Sequence, residues 1–383
     1  MTKATRIVRV ADHFAMKRGG RLSEVQLAYE TWGERNDQDN NSILLFTGLS
    51  PSAHAAASPD DATPGWWEWM IGPGKPIDTD LYHVICVNPL GSCFGSTGPA
   101  SMNPASGKPY GPDFPELSIE DMSRSAHALV ELLGIARLHT VMGVSLGGMT
   151  ALAYAIEFAD QVEQLVSLCS AMRAEASAIA IRSLQREIIR NDPAWEGGRY
   201  APAAGPVEGM RLARKLGIIS YRSALEWRER FGHERVPAGG DPADGFGPEF
   251  QVESYLEANA RKFVSYFDAN CYLALSRCMD WFDVADFGGT DEAALARITA
   301  HRALIVGVES DSLYPLHQQR ALADLLCELG RDVEFVAMPS IQGHDAFLVD
   351  RDRFAPVLRS FFGDDALLAE KEQYQVSQCA AAG

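Results

Sequence analysis

The feature that most constrains this chain is the pentapeptide Gly143-Val144-Ser145-Leu146-Gly147, which stands between an apolar run and a helical pattern. The run His139–Met142 precedes it and the periodic segment Met149–Phe158 follows it. Glycines two residues before and after a serine allow a turn so tight that the serine takes a strained backbone conformation. The pattern predicts a strand, a sharp turn and a helix, with Ser145 as a nucleophile at the helix N-terminus. A glycine-rich turn with an inert serine is the alternative.

Short apolar runs alternate with longer helical patterns along most of the chain, which is typical of a mostly parallel sheet with helices on both faces. The runs predict strands at Val25–Tyr29, Ser42–Phe46, His83–Asn88, His139–Met142, Gln164–Cys169, Ala303–Val308 and Val333–Met338. The periodic segments predict helices at Ile119–Leu133, with Ser118 as N-cap, at Met149–Phe158 and at Leu316–Leu326. The predicted fold class is therefore α/β.

The alternation stops between about Ala174 and Thr290, where helical periodicity, many charges and Gly/Pro breaks replace it. We predict an α/β core formed by residues 1–173 and 291–383 and a helical insertion formed by residues 174–290. Ligands of open α/β sheets bind at the carboxyl ends of the strands, so the inserted helices are expected to form a lid there. The acidic tail after Asp364 is expected to be mobile surface.

A serine hydroxyl is a poor nucleophile without a base, and two later segments supply candidates. Glu309 and Asp311 follow the strand Ala303–Val308, and His344 follows the strand Val333–Met338. This is the chain order of the α/β-hydrolases, in which the acid and the base come after the serine. Asp311 is expected to orient His344, which accepts the Ser145 proton.

Two alternatives to these partners stay open. Glu309 competes with Asp311 for the role of the acid, and His317, inside a predicted helix, competes with His344. The oxyanion donors are expected to be the backbone N–H groups of Leu146 and of Leu49, in the loop after the strand Ser42–Phe46. An ordinary glycine- and proline-rich loop is the other interpretation of that segment.

One stretch is more specific than the pentapeptide: Asn88-Pro89-Leu90-Gly91-Ser92-Cys93-Phe94-Gly95-Ser96-Thr97-Gly98-Pro99. Three further segments accompany it: Tyr29-Glu30-Thr31-Trp32-Gly33, Phe267-Asp268-Ala269-Asn270 and His344-Asp345-Ala346-Phe347-Leu348. In these segments the sequence resembles the homoserine O-acetyltransferase family of acyltransferases with the α/β-hydrolase fold. The resemblance extends from about Phe14 to Phe362. The resemblance implies acyl-CoA as co-substrate, no permanently bound cofactor, no metal and a homodimer formed through the lid.

The resemblance also assigns roles to residues. The family's nucleophile, acid and base correspond to Ser145, Asp311 and His344, and its amino-acid-binding pair corresponds to Arg214 and Asp345. A zwitterionic acceptor requires one fixed cation for its carboxylate and one fixed anion for its ammonium group. The alternative is that Arg214 is one exposed helix charge among several.

Three positions depart from the family. Leu146 replaces a usual Met, which has no expected consequence because only its backbone N–H is required. Ser52 replaces an Asp of the homoserine-directed members and, with the run Ile179–Arg186, implies the branch that acylates L-serine. Arg182 replaces a neutral residue and is expected to pair with the distal carboxylate of a succinyl group, so that succinyl is favoured over acetyl. A solvent-facing Arg182 is the alternative.

The expected reaction is therefore ping-pong acyl transfer from succinyl-CoA or acetyl-CoA to L-serine, which feeds cysteine biosynthesis. Homoserine O-acetyltransferase is the alternative within the family, and an esterase is the alternative of another class, because a fold and a triad do not set the acceptor. A non-catalytic binding module is a third interpretation, against which the complete triad argues.

Charge and composition exclude other partners. The 34 Lys+Arg against 51 Asp+Glu give a net charge of -17, which repels nucleic acids and anionic membranes. The first twenty residues lack the apolar region of a secretory signal. The seven cysteines are scattered and form no Cys-x-x-Cys, which favours reduced thiols in the cytoplasm over a disulfide framework or a zinc site.

Overall fold

The computed structural model describes residues 2–201, 204–236 and 247–363. Eight strands form its main sheet: β1 (Arg6–Ala15), β2 (Arg21–Trp32), β3 (Ser42–Phe46), β4 (His83–Val87), β5 (Leu138–Val144), β6 (Val162–Leu168), β7 (Arg302–Val308) and β8 (Asp332–Met338). Their order across the sheet is β1-β2-β4-β3-β5-β6-β7-β8. The pairs β1–β2 and β2–β4 are antiparallel, and the other five pairs are parallel.

Eleven α-helices lie in the described residues: α1 (Ile119–Leu132), α2 (Leu146–Glu157), α3 (Ala176–Asn191), α4 (Val207–Tyr221), α5 (Ala224–Phe231), α6 (Gln251–Val264), α7 (Ala269–Trp281), α8 (Asp291–Leu295), α9 (Leu316–Glu328), α10 (Ala346–Val349) and α11 (Arg351–Gly363). Helices α3 to α7 come between β6 and β7, where the sequence predicts the insertion. The described part of residues 174–290 contains no β-strand. No helix among the described residues is both long and apolar enough to cross a membrane.

The central strands are buried on both faces, which explains why they read as continuous apolar runs. Every residue of β3 and of β5 is buried. Along β3, Leu44 and Phe46 pack into one apolar cluster, which includes residues of α1 and α2. Ile43 and Leu45 face the other cluster, which includes residues of α11. This two-sided packing fixes the carboxyl edge of the sheet, from which the site is built.

The predicted α/β class with a mostly parallel sheet is confirmed. The predicted cap of α1 is also present, because the Ser118 hydroxyl accepts the Asp121 N–H at 3.2 Å. Strand β1 was not predicted, since it is a charged edge strand with exposed and half-buried residues and gives no apolar run. Helix α2 begins directly after Ser145, three residues before the predicted Met149. The tail after Asp364 lies outside the described residues.

Candidate active site

Ser145 lies on the sharp turn between β5 and α2. Its φ of 55° and ψ of -118° belong to a strained backbone conformation that a residue with a side chain rarely adopts. A Cβ on Gly143 would come within 2.0 Å of the Gly147 carbonyl oxygen, and a Cβ on Gly147 within 2.2 Å of the Phe46 carbonyl oxygen. Both neighbours are backbone atoms that cannot give way, so the turn requires glycine at both positions.

A continuous chain of hydrogen bonds joins three buried side chains at this turn. The Ser145 Oγ lies 2.8 Å from the Nε2 of His344, and the Nδ1 of His344 lies 2.7 Å from the Oδ2 of Asp311. The other oxygen of Asp311, Oδ1, accepts the backbone N–H groups of Leu313 at 2.8 Å and Tyr314 at 2.9 Å. In this arrangement an imidazole held by a carboxylate can take the proton of the serine hydroxyl.

The two competing residues lie elsewhere. Glu309 is exposed at the end of β7, whereas Asp311, two residues later, is buried. The His317 side chain is 68% exposed and pairs with Glu175. The structure therefore brings Asp311 and His344, rather than Glu309 and His317, to Ser145.

The surroundings of His344 raise its pKa above the ordinary value. Burial lowers its pKa, but the charge and hydrogen bond of Asp311 and the charge of Asp345 raise it, and the net pKa lies above the ordinary 6.5. A protonated Nε2 cannot accept the serine proton, so the serine is activated above this pKa and inactive below it.

We expect the rate at which a serine-reactive organophosphate labels Ser145 to fall as the pH is lowered, with a midpoint above 6.5. Asp345→Asn removes one of the charges that raise the pKa, so its midpoint should shift to lower pH. Labelling rates at a series of pH values, with the labelled residue identified by mass spectrometry, measure both midpoints. A rate that does not change between pH 5 and 8 would contradict the assignment of His344 as the base.

Ser145 and His344 open onto a cavity of about 130 Å³, whereas Asp311 is not among its described lining residues. Its lining includes six predicted site residues: Leu49, Ser145, Arg182, Arg214, His344 and Asp345. Ser52 is not among the described lining residues, and its hydroxyl instead accepts the His54 N–H at 3.3 Å. Leu146 is the first residue of α2 and is fully buried next to Ser145.

The predicted oxyanion loop passes directly beside the serine. A Cβ built on Gly48 would lie 3.9 Å from the Ser145 Cβ, so Gly48 and Leu49 run along this wall of the cavity. The loop is held from behind by His54, whose Nδ1 lies 2.8 Å from Glu30 Oε2 and whose Nε2 lies 2.8 Å from the Thr63 carbonyl oxygen. A carboxylate and a carbonyl both accept, so this geometry requires protons on both ring nitrogens.

The pKa of His54 agrees with this geometry. Burial lowers it, whereas the Glu30 carboxylate and the Thr63 carbonyl raise it, with a net upward shift. The charged pair His54–Glu30 therefore anchors the far end of the loop that carries Leu49. The pair was not predicted from the sequence, because neither residue belongs to a motif with a chemical reason for the pairing.

A cation and an anion share the cavity with the serine. Arg214 Nη1 donates to the Ser50 hydroxyl at 3.0 Å, and its guanidinium lies 4.3 Å from the centre of the Phe263 ring. Asp345 Oδ2 lies 3.1 Å from the Nε of Arg222, a residue that sequence analysis missed. Arg214 thus faces the cavity and does not lie among the solvated charges of α4. Fixed opposite charges beside a nucleophile suit a zwitterionic ligand.

Arg182 is the second cation of the cavity and, unlike the half-buried Arg214, is buried. Its side chain is only 5% exposed, and its Nε lies 2.5 Å from Asp280 Oδ1. The alternative that Arg182 faces solvent is therefore wrong. The described ranges contain no group of three or more His, Cys, Asp or Glu residues placed to hold a metal ion.

The sequence matches the family model described as alpha/beta hydrolase fold over residues 41–350. It is 56% identical over 362 residues to a serine O-succinyltransferase of Litchfieldella anticariensis, with 94% of this chain and 99% of that protein covered. It is 52% identical over 362 residues to an L-serine/homoserine O-acetyltransferase of Streptomyces lavendulae, with 94% of this chain and 97% of that protein covered.

Two solved structures are similar over most of their length. A homoserine O-acetyltransferase from Bacillus anthracis has a TM-score of 0.85 at 29% identity, covering 93% of this chain and 96% of that one. Esterase E22 has a TM-score of 0.84 at 30% identity, covering 93% of this chain and 99% of that one. Proteins named as acyltransferase and as esterase share this architecture, so the fold alone does not choose between them.

Proposed function

The chain belongs to the alpha/beta hydrolase fold family, among its serine and homoserine O-acyltransferases, and on that premise we propose that it transfers an acyl group from coenzyme A to the hydroxyl of L-serine. The observation that carries the proposal is that a cation, Arg214, and an anion, Asp345, both line the cavity of Ser145. A simple ester has neither an ammonium group nor a free carboxylate for these two charges. An amino acid has both.

In the first half-reaction the Ser145 Oγ attacks the thioester carbonyl while His344 takes the serine proton. The N–H groups of Leu49 and Leu146 hold the tetrahedral oxyanion. The carbon–sulfur bond then breaks, the thiolate receives the proton from His344, and Ser145 keeps the acyl group. Asp311 stabilises the imidazolium that exists between these two proton transfers.

In the second half-reaction L-serine enters the same cavity. Arg214 binds its carboxylate and Asp345 its ammonium group, which brings its hydroxyl to His344. The deprotonated hydroxyl attacks the acyl-enzyme, and His344 returns the proton to the Ser145 oxygen as it leaves. The product is an O-acyl-L-serine, whose acyloxy group a sulfur nucleophile can replace on the way to cysteine.

The favoured acyl group is succinyl, with acetyl as the alternative. Arg182 supports succinyl, since a buried guanidinium on the acyl cavity matches the distal carboxylate, whereas an acetyl group offers no partner. For the acceptor, the 56% identity to a serine O-succinyltransferase supports L-serine, and L-homoserine is the alternative.

The deciding experiment is a four-way matrix of succinyl-CoA and acetyl-CoA against L-serine and L-homoserine. We expect the highest kcat/KM for succinyl-CoA with L-serine. A higher value with acetyl-CoA and L-homoserine would establish the homoserine O-acetyltransferase alternative. Release of CoA thiol without any O-acyl amino acid would reduce the protein to a hydrolase, the alternative that its likeness to esterase E22 favours.

Replacing Arg214 with glutamine is expected to lower kcat/KM for L-serine by on the order of 10²-fold, because the acceptor carboxylate loses its charged hydrogen-bond partner. Formation of the acyl-enzyme from the thioester alone should be unchanged, since that half-reaction does not use the acceptor. Stopped-flow release of CoA thiol and steady-state serine kinetics measure the two effects separately.

Arg211→Gln is the matched control, because Arg211 lies one turn earlier on α4 and pairs with Glu208 and Glu257 instead of facing the cavity. It should leave both half-reactions intact. Equal losses in the two half-reactions of Arg214→Gln would mean that Arg214 maintains the fold rather than binds serine.

We also propose that the inserted helices act as the lid and form the interface of a homodimer. We place this homodimer in the cytoplasm. Large apolar side chains on α3 and α4 support it: Leu184 is 47% exposed, Leu212 46% and Ile219 50%. Their burial against a second copy would remove apolar area from water. The molar mass in solution, measured by light scattering, tests the dimer.

A further inference from the structure

Behind the Ser145 cavity, one carboxylate lies between two guanidinium groups. Asp280, on α7, has Oδ1 at 2.5 Å from the Nε of Arg182 and Oδ2 at 2.6 Å from an Nη2 of Arg186. The two arginines are one turn apart on α3. The side chains of Arg182, Arg186 and Asp280 are 5%, 17% and 7% exposed, so little water reaches this cluster.

The cluster is not electrically complete. Two guanidinium groups against one carboxylate leave a single positive charge in a buried place. Within the described ranges, Nη1 and Nη2 of Arg182 are buried and have no hydrogen-bond partner. An uncompensated buried charge is costly, and a guanidinium edge with two free donors is shaped for a carboxylate. Because Arg182 also lines the cavity of Ser145, the missing anion belongs to a ligand of that cavity.

Arg186 determines which edge of Arg182 remains free. An aspartate next to an arginine commonly pairs with it through both oxygens, which would occupy two of the guanidinium N–H donors and cancel its charge. Here one oxygen pairs with Arg186, and only the other contacts Arg182, at Nε. Arg186 is in turn fixed by a 2.9 Å hydrogen bond from its Nη1 to the Ser276 hydroxyl. Arg186 is not among the described residues that line the Ser145 cavity.

We propose that Arg186 is a positioning residue for acyl-group selection: by holding one oxygen of Asp280 it keeps the Nη1–Nη2 edge of Arg182 open for the far carboxylate of a dicarboxylic acyl thioester. This inference rests on the proposed acyl transfer and deepens it. The cluster accepts one negative charge and becomes neutral when such an acyl group binds. A neutral acyl group leaves the charge uncompensated, so the arrangement selects against it.

A second buried donor lies beside this edge. Tyr314 is fully buried, and its hydroxyl lies next to the Arg182 guanidinium without a well-oriented hydrogen bond to any described residue. Burial raises its pKa to about 12, against the opposing charge of Arg182, so the phenol keeps its proton at neutral pH. It is available to donate to an incoming carboxylate, and Tyr314→Phe should weaken the preference for the anionic acyl group without reversing it.

The test is the ratio of kcat/KM for succinyl-CoA to that for acetyl-CoA, measured in the thioester-only formation of the acyl-enzyme. In Arg186→Gln, Asp280 is free to pair with Arg182 through both oxygens and the cluster has no net charge. We expect the ratio to fall by at least about tenfold, a free-energy difference of about 1.4 kcal/mol. Arg186→Lys keeps a cation for Asp280 and should restore most of the ratio.

Arg190→Gln is the matched control, because Arg190 lies one turn further along α3, is exposed and stacks near Trp195. It should leave the ratio unchanged. The proposal is overturned if Arg186→Gln keeps the wild-type ratio, or if it lowers the two rates equally, as a merely structural role would. It is also overturned if the wild-type protein prefers acetyl-CoA.

Failure of the proposed function gives a different result. In that case the acyl-enzyme forms with the expected ratio, but no O-acyl-L-serine appears when L-serine is added. The acyl subsite would then belong to a protein that hydrolyses its acyl-enzyme, and only the assignment of L-serine as acceptor would be wrong.

Discussion

Replacement of Ser145 with alanine should lower kcat by on the order of 10⁴- to 10⁶-fold, to the level left by binding and the oxyanion donors alone. The Oγ at 2.8 Å from His344 Nε2 is the atom that forms the acyl-enzyme bond, and alanine has no atom there. The backbone strain at this position is not relieved by alanine, which also carries a Cβ. The fold should therefore persist while the chemistry is lost.

The measurement is intact-protein mass spectrometry after mixing with succinyl-CoA or acetyl-CoA in the absence of an acceptor. The wild-type protein should gain one acyl group on Ser145, and the alanine variant should gain none. Ser183→Ala, an exposed serine on α3, is the control and should be acylated normally at Ser145. Acyl transfer at the wild-type rate by the Ser145→Ala variant would refute the acyl-enzyme mechanism and require direct transfer between the substrates.

Replacement of Asp311 with asparagine should lower kcat by on the order of 10⁴-fold through the tautomer of His344. Asp311 Oδ1 accepts two backbone N–H groups, from Leu313 and Tyr314. In asparagine the carbonyl oxygen must take that place, so the amide NH₂ is turned towards His344 Nδ1. The Nδ1 must then accept a hydrogen bond, which leaves the proton on Nε2, the atom that faces Ser145.

This prediction depends on the backbone N–H groups of Leu313 and Tyr314, because they fix the orientation of the new side-chain amide. Without them the amide could rotate and turn its oxygen towards His344. Steady-state kinetics of acyl transfer measure it, and the melting temperature checks that the fold is retained. Glu309→Gln is the matched control, since Glu309 is exposed two residues earlier and should tolerate the change. A loss below about tenfold for Asp311→Asn would show that Asp311 is not needed to orient the base.

The parallel part of the sheet was predictable because strands β3 to β7 are almost wholly buried and give continuous apolar runs. The edge strand β8 is only half-buried but still carries an apolar segment. Six of the seven predicted strands match β3 to β8 within two residues at either end. Strand β1 was not predicted, because this antiparallel edge strand is largely exposed to solvent and its charged residues resemble those of a loop. The early start of α2 was not predicted because Leu146, Gly147 and Gly148 resemble a loop, and only the sharp turn at Ser145 makes them the first turn of a helix.

The chemistry of the site was predictable where a motif imposes it. The pentapeptide around Ser145 requires its glycines for steric reasons, and parallel topology brings Asp311 and His344 to the same edge from 166 and 199 residues away. The contribution of Ser52 was harder to foresee. The Ser52 hydroxyl accepts the His54 N–H within the local turn. The replacement of an aspartate by Ser52, although visible in the sequence, therefore does not show that this side chain reaches the cavity.

By itself the sequence determined the sheet, the turn and the order of nucleophile, acid and base, because these follow from local sterics, apolar periodicity and chain order. Only the tertiary structure decided which charges meet. The pairing of His54 with Glu30, of Arg222 with Asp345 and of Asp280 with two arginines depends on side chains from separate elements and on their removal from water. Coulombic and desolvation energies depend on distance and burial, and neither quantity is written in the order of residues along the chain.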